Sequence, residues 1–258
     1  MVISSPGLQN HQGDEQKDLD ATYNIVEIFH SVQGEGFRAG IPHVFIRFGR
    51  CNLRCEWCDT DFDTFTEMTG KEILDAVLQY PTKNVVFTGG EPMMKRSQQA
   101  VREILMSLRH YAKQPNNITF ETNGTQPVTT EFIEHFNNKG LFPGTIFWSI
   151  SPKLFTVSGE KNEKAIKPNV LKTYRMLSKY GQLKFVMTAD PRCWEELDRV
   201  LPMFRNAGID YPVWIMPVGA TVEDQYKDAG EVANMALARG YNVSARVHAY
   251  LWGNAIGV

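Results

Sequence analysis

His43-Val-Phe-Ile-Arg-Phe-Gly49 runs, after a single arginine, into Cys51-Asn-Leu-Arg-Cys55-Glu-Trp-Cys58. The first stretch is apolar almost throughout and rich in β-branched and aromatic residues, the pattern of a strand covered on both faces, as in a parallel sheet. The second places three thiols on the loop that follows. Similar apolar runs recur downstream: NVVFTGG (84–90), NITFETNG (117–124), TIFWSIS (145–151), QLKFVMT (182–188), VWIMPVG (213–219) and NVSARVH (242–248). Helix-like stretches separate most of them. Thr69 and Glu72 form a capping-box pattern ahead of ILDAVLQY. Asp190 and Pro191 make an N-cap and N1 pair, and Thr221 opens a long stretch closed by Gly240. The strand spacing, roughly 30 to 40 residues, is that of βαβ units. Six or so such units predict an α/β fold, a partial (β/α)6 TIM-like barrel, with functional groups at the C-terminal ends of its strands.

The chain has 258 residues, 43% hydrophobic and 22% charged, proportions that exclude wholesale disorder. A net charge of −2 gives no reason to expect nucleic acid or an anionic membrane as partner. No apolar run approaches the roughly 20 residues that span a bilayer, and no basic-then-apolar signal pattern opens the chain, so a cytoplasmic protein is expected. Residues 1–22 are polar and lack an apolar period, which predicts a disordered extension ahead of one catalytic domain over 23–258.

Three of the four cysteines fall within eight residues, and Cys193 stands alone in the first turn of an expected helix. A disulfide scaffold would spread its cysteines, so the cluster points to a metal or to reactive thiols in a reducing compartment. Cys193 reads as a bland, partly buried thiol. Three thiolates on one loop suit a [4Fe–4S] cluster with one iron open to a non-protein ligand. Zinc with His43 as fourth ligand is the alternative, although structural zinc sites usually bring paired knuckles from two places.

The spacing C-x3-C-x2-C, with Trp57 before the third cysteine, resembles the signature of the radical S-adenosylmethionine superfamily. There the open iron chelates the methionine end of S-adenosylmethionine, and reduction yields a 5′-deoxyadenosyl radical. Thr88-Gly-Gly90-Glu91-Pro resembles the superfamily's GGE motif. Its glycines allow close backbone approach, and the resemblance implies that the Glu91 carboxylate pairs with the cofactor ammonium. Ser151 and Lys153, ending the strand at 145–151, offer a hydroxyl and an ammonium to the same cofactor. Trp57, Asp59, Gly90, Asn123, Met216 and Gly219 complete the cofactor contacts that the resemblance implies. Met216 stands where a glutamine is common, so its contact would be backbone or apolar.

A narrower resemblance covers nearly the whole chain after residue 23. Gln33-Gly34-Glu35-Gly36, Arg47 on its strand, Cys58-Asp59-Thr60, Glu121-Thr-Asn123-Gly and His248 near the end resemble the family of 7-carboxy-7-deazaguanine synthases. The implied reaction contracts the ring of 6-carboxy-5,6,7,8-tetrahydropterin with loss of ammonia. The implied substrate contacts are Val32, Gln33, Gly34, Glu35, Arg47, Thr88 and the carboxylate of Val258, with Glu121 and His248 as catalytic groups. Gln33 and Glu35 would accept hydrogen bonds from the pterin N–H edge, and Arg47 would pair with a carboxylate or carbonyl. Thr60 would bind Mg²⁺. A reductase such as flavodoxin and a homodimer are further implications. Two rivals are a radical activase working on a protein partner, which the Gln33–Gly36 stretch and Arg47 argue against, and a non-catalytic iron–sulfur or zinc protein.

Overall fold

The computed structural model describes residues 18–111, 113–138, 145–253, 255 and 257. Most of the expected extension lies outside the described residues. The first element among the described residues is a 3₁₀ turn, Asp18–Asp20, whose Leu19 packs against the core beside Gly70.

Among the described residues nine strands form one sheet. In chain order they are β1 (Thr22–Val32), β2 (Pro42–Phe48), β3 (Thr66–Thr69), β4 (Asn84–Gly89), β5 (Asn117–Thr122), β6 (Ile146–Ile150), β7 (Gly181–Met187), β8 (Val213–Pro217) and β9 (Asn242–Val243). Their spatial order is β3-β1-β2-β4-β5-β6-β7-β8-β9. From β2 onward every pairing is parallel, while β1 runs antiparallel to β2 and to β3. The partial barrel is therefore as expected, with an antiparallel flap added at its first edge. That flap escapes an apolar-run reading because β1 alternates buried and half-buried residues.

The helices are α1 (Gly70–Leu78), α2 (Lys95–His110), α3 (Thr130–Asn138), α4 (Phe155–Ser158), α5 (Asn162–Ala165), α6 (Pro168–Leu177), α7 (Pro191–Asn206), α8 (Val222–Leu237) and α9 (Val247–Trp252). The capping signals hold. Thr69 accepts the Glu72 N–H at 3.2 Å while the Glu72 carboxylate accepts the Thr69 N–H at 2.7 Å. Thr69→Ala should lower the stability by about 1 kcal/mol, read as a shift of the denaturant midpoint at unchanged slope. Asp190 caps α7, which buries Cys193. Gly240 closes the turn after α8, with the Tyr241 N–H bonded to the Ala236 carbonyl at 3.0 Å. The last expected strand is a correction: only Asn242 and Val243 pair with β8, and the chain turns into α9 at Val247, so His248 is helical.

Side-chain alternation along the parallel strands sorts the core from the site. Phe48, Phe87, Phe120, Trp148 and Tyr174 form a continuous stack of rings on the helix-covered face, with successive centroids 6.4, 5.3, 4.7 and 4.4 Å apart. Their neighbours Arg47, Thr88, Glu121 and Ser149 fall on the opposite face. The register sets Arg47 beside Thr88 and Glu121 beside Ser149. One polar row thus crosses the sheet near its C-terminal edge.

Candidate active site

The thiol loop leaves β2 through Arg50, whose φ of 70° is unusual for a residue with a side chain. That conformation is held from two sides. The Arg50 N–H donates to the Phe62 carbonyl at 2.7 Å, and its own carbonyl accepts the Glu91 N–H at 3.0 Å. A Cβ on Gly90 would stand 1.8 Å from the Arg50 oxygen. The glycine thus lets the end of β4 press directly on the backbone that carries Cys51. On its far side the loop is clasped by the α4–α5 segment: Glu160 accepts the Arg54 N–H and pairs with Lys164 at 3.0 Å, and the Glu56 N–H reaches the Ser158 carbonyl at 3.1 Å.

Cys51 and Cys55 are half-buried, and Cys58 is exposed. Burial pushes the Cys51 thiol up to about 11 and raises that of Cys55, so as free groups both would stay protonated near neutrality. Cys51 Sγ accepts the Leu53 N–H at 3.4 Å and, at longer range, Asn123 Nδ2 at 3.9 Å. Trp57 lies under the Lys153 ammonium, 4.7 Å from ring centroid to Nζ, and Lys153 also reaches Ser151 Oγ at 2.9 Å. The Trp57 indole N–H is buried without an acceptor among the described residues. Among the described residues no three His, Cys, Asp or Glu side chains stand close enough to hold a single metal ion; three thiols on one loop, with a buried donor beside a cationic group, suit a larger cluster with a polar ligand next to it. Zinc with His43 does not fit. His43 sits near the N-terminal end of β2, about 16 Å along the strand from its thiol end at the usual rise per residue, and its Nδ1 bonds the Ile41 carbonyl at 2.8 Å.

Glu91 is buried just after the end of β4 and held by three donors. Its carboxylate accepts the Met93 N–H at 2.8 Å, the Thr122 hydroxyl at 2.7 Å and the Asn123 N–H at 2.8 Å. Burial pushes this carboxyl up to about 7 even so. It ties the β4 loop to the β5 loop, and its Oε2 accepts only the Asn123 N–H, which leaves that oxygen a further acceptor site. Because both backbone partners are donors, Glu91→Gln must set an amide N–H against one of them. A loss of about 1–3 kcal/mol is expected from this isosteric change, measurable by denaturation at pH 8.

Three polar groups meet around the row facing the barrel interior. Gln33 Nε2 donates to Glu121 Oε1 at 2.9 Å, and the Thr88 hydroxyl donates to Glu121 Oε2 at 2.7 Å. Gln33 Oε1 accepts the Glu35 N–H at 3.0 Å. Gln33 is therefore committed at both ends, and Glu121 is the acceptor that it and Thr88 present. Glu35 is not a free acceptor either. Its carboxylate pairs with Lys184 and, at 3.0 Å, with Arg246. Burial alone would raise the Glu35 carboxyl, but the two cations outweigh it and hold it well below the carboxylate range. Arg47 Nε pairs with Glu27 at 2.7 Å, and its Nη1 donates to the Thr60 hydroxyl at 3.1 Å. Asp59 pairs with Arg246 at 2.6 Å. As folded, the Asp59–Thr60 turn offers one hydroxyl beside two guanidinium groups, which does not by itself make a Mg²⁺ site.

The end of the chain folds into this region. The His248 ring lies so close to Gly34 that a Cβ there would stand 1.6 Å from Nδ1, and the Val247 N–H donates to the Gly34 carbonyl at 2.8 Å. Burial lowers the His248 imidazole below its ordinary value of 6.5, which favours the neutral ring. A Cβ at Gly257 would come within 3.9 Å of Glu27 Oε2, so the tail approaches the Glu27–Arg47 pair. Val258 lies outside the described residues. Val32 ends β1 half-buried, Met216 is buried in β8, and Gly219 carries its carbonyl toward Arg246 at 3.1 Å. The sequence reading assigns no role to Glu27, Lys184 or Arg246. A lone lysine in the apolar run QLKFVMT and a lone arginine in NVSARVH were the available signals, since buried charges need partners.

The model of the Radical SAM superfamily matches residues 45–226. A 7-carboxy-7-deazaguanine synthase from Haemophilus influenzae is 39% identical over 118 residues, which is 46% of this chain and 53% of that protein, so the match spans about half of that relative. The 7-carboxy-7-deazaguanine synthase of Thermoplasma acidophilum is 30% identical over 91% of this chain and 99% of its own length. That of Halobacterium salinarum is 32% identical over 90% of this chain and 91% of its own. The crystal structure of QueE from Escherichia coli superimposes with a TM-score of 0.61 at 21% identity, over 92% of this chain and 100% of that one, a likeness of fold. The chain belongs to the radical SAM superfamily and, within it, to the family of 7-carboxy-7-deazaguanine synthases.

Proposed function

We propose that this protein converts 6-carboxy-5,6,7,8-tetrahydropterin to 7-carboxy-7-deazaguanine, with Cys51, Cys55 and Cys58 holding a [4Fe–4S] cluster. When bound, the cluster and S-adenosylmethionine supply the hydrogen-abstracting radical. The protein's own part is to bind, orient and exclude water.

The observation that carries this reading is the Glu121 constellation, which lies on the C-terminal side of the sheet as the thiol loop does. Glu121 presents a carboxylate fixed by Gln33 and Thr88, an acceptor suited to the N–H edge of a pterin. Arg47, at present held by Glu27 and Thr60, would meet the substrate carboxylate. Thr60 would take part in holding Mg²⁺ only once that carboxylate supplies further oxygens. Neutral His248 beside Gly34 would close the pocket, with the C-terminal carboxylate of Val258 near the Glu27–Arg47 pair. Ser151 and Lys153 beside Trp57 would receive the polar parts of S-adenosylmethionine, and Met216 an apolar one. Asn123 would steady Cys51 through their long contact and through Asn52, 3.0 Å away. A reductase such as flavodoxin would deliver the electron, and a homodimer is the proposed assembly.

Anaerobically reconstituted protein given dithionite, S-adenosylmethionine, Mg²⁺ and the carboxytetrahydropterin should release 7-carboxy-7-deazaguanine, detected by mass spectrometry. Formation of 5′-deoxyadenosine with the pterin untouched would leave the radical chemistry standing and remove the substrate.

A further inference from the structure

Arg246 occupies an unusual position for a residue outside the cysteine loop and the polar row. Its side chain is only 13% exposed, yet it makes four polar contacts to three separate loops. Nε pairs with Glu35 at 3.0 Å, and Nη2 with Asp59 at 2.6 Å. Nη1 donates to the carbonyls of Gly219 and Ala220 at 3.1 and 3.3 Å. Asp59 lies between Cys58 and Thr60 in the chain, so the arginine is one residue removed from a thiol of the cluster loop. Glu35 follows the Gln33–Gly34 segment, and Gly219 lies within the loop after β8. A planar guanidinium with its donors in a fixed fork can satisfy this divergent set at once, whereas a lysine ammonium reaches fewer of the partners.

We propose that Arg246 is a positioning residue for the reaction. It locks the Cys58–Thr60 turn, the Glu35 carboxylate and the Gly219–Ala220 backbone into one frame, and so fixes the cluster's third thiol relative to the substrate pocket and the cofactor loop. The energetic reason is the pairing of one largely buried cation with a buried carboxylate, Glu35, and a more exposed one, Asp59. Glu35 also has Lys184, but Asp59 has no other cation within salt-bridge distance among the described residues. Without Arg246 the Asp59–Thr60 turn keeps only the Arg47 contact to the Thr60 hydroxyl, and Cys58, the most exposed of the three thiols, loses one of the two side-chain anchors of the turn that follows it. Displacements of about 1 Å in such a frame cost about 100-fold in rate, because radical transfer demands close approach of the reacting atoms.

The proposal rests on the radical reading of the site, and its test uses anaerobically reconstituted Arg246→Met, Arg246→Lys and Asp59→Asn proteins. Arg246→Met should keep its iron content and secondary structure, while turnover falls about 10- to 100-fold, as for lost partners that orient metal ligands. The amount of 5′-deoxyadenosine released per product should rise several-fold, because a loosened frame lets the radical be quenched before it meets substrate. Asp59→Asn should show the same uncoupling more weakly. Adding it to Arg246→Met should change nothing further, as expected for two residues acting through one contact. Arg246→Lys should fall between wild type and Arg246→Met. A second readout needs no pterin: the change in the reduced cluster's electron paramagnetic resonance spectrum on adding S-adenosylmethionine should be diminished in Arg246→Met and Asp59→Asn. If wild type makes no product from the pterin, the substrate assignment fails, while this spectral comparison still decides the role of Arg246. Unchanged spectra and unchanged uncoupling in Asp59→Asn and Arg246→Met, with only a lowered melting temperature, would make Arg246 a stabilising residue and overturn the proposal. Should Arg246→Met fail to fold, Asp59→Asn and Arg246→Lys decide the question by the same readouts.

Discussion

Glu121→Gln is expected to reduce turnover by about 100-fold or more while leaving iron content and reductive cleavage of S-adenosylmethionine intact. The size follows from the geometry. Both carboxylate oxygens receive donors, Gln33 Nε2 at 2.9 Å and the Thr88 hydroxyl at 2.7 Å. A glutamine at this position can turn its N–H₂ to the Thr88 hydroxyl, which rotates to accept it, at the loss of the charge; turned to Gln33 instead, it sets two amide N–H₂ groups against each other. If Gln33 flips to compensate, it gives up the Glu35 N–H that its Oε1 now accepts at 3.0 Å, so the disturbance spreads along the loop. Glu121 also has no ion-pair partner within 4 Å among the described residues, and its charge is free to meet the N–H edge of a ligand. A site built to satisfy such an edge discriminates strongly once the acceptor is lost. Steady-state kinetics with parallel quantification of 5′-deoxyadenosine checks the expectation. Equal loss of cleavage and turnover would place Glu121 in the support of the cluster instead.

The second large effect is on stability. Lys184→Met should cost about 3–5 kcal/mol at neutral pH, toward the lower end because Arg246 still faces Glu35. Lys184 and Glu35 have side chains only 7% and 15% exposed, so removing the ammonium leaves a carboxylate desolvated with half its compensation. The effect carries a pH signature. Glu35 is held well below its ordinary value of 4.5 in the folded protein, so the unfolded chain binds the proton more readily. The pair's contribution is therefore complete above pH 4.5 and drains away as the pH falls below it. The stability gap between wild type and Lys184→Met should be widest at neutral pH and narrow in acid. Urea denaturation at pH 7 and pH 4 measures both values, and a gap that widens in acid would contradict the assignment.

The parallel strands were readable because burial on both faces leaves continuous apolar runs, and TIFWSIS and QLKFVMT give the fully buried β6 and β7. The antiparallel β1 was not, since its half-exposed alternation resembles no such run. NVSARVH carries β-branched residues yet forms only two residues of strand, because Arg246 is drawn to Glu35 and Asp59 and Val247 bonds to Gly34. Tertiary contacts overrode local propensity there. The site shows the same division. The motifs at Cys51–Cys58 and Gly89–Glu91 were legible as residue types at fixed spacing. What those residues bond to was not, as Glu91 shows: its carboxylate also ties down the Thr122–Asn123 turn. The partners Glu27, Lys184 and Arg246 lie 20, 149 and 211 residues away from the groups they hold, and no local pattern announces contacts over such separations.

The central claim is that the protein brings C6 of the carboxypterin to the radical made at this cluster. Substrate carrying deuterium at C6, turned over by the reconstituted protein, tests it most directly. Deuterium appearing at the 5′ carbon of S-adenosylmethionine or 5′-deoxyadenosine, together with 7-carboxy-7-deazaguanine, is the predicted result. Product formed with no deuterium ever reaching that carbon would contradict the account, since the hydrogen would then leave by a route these residues do not provide.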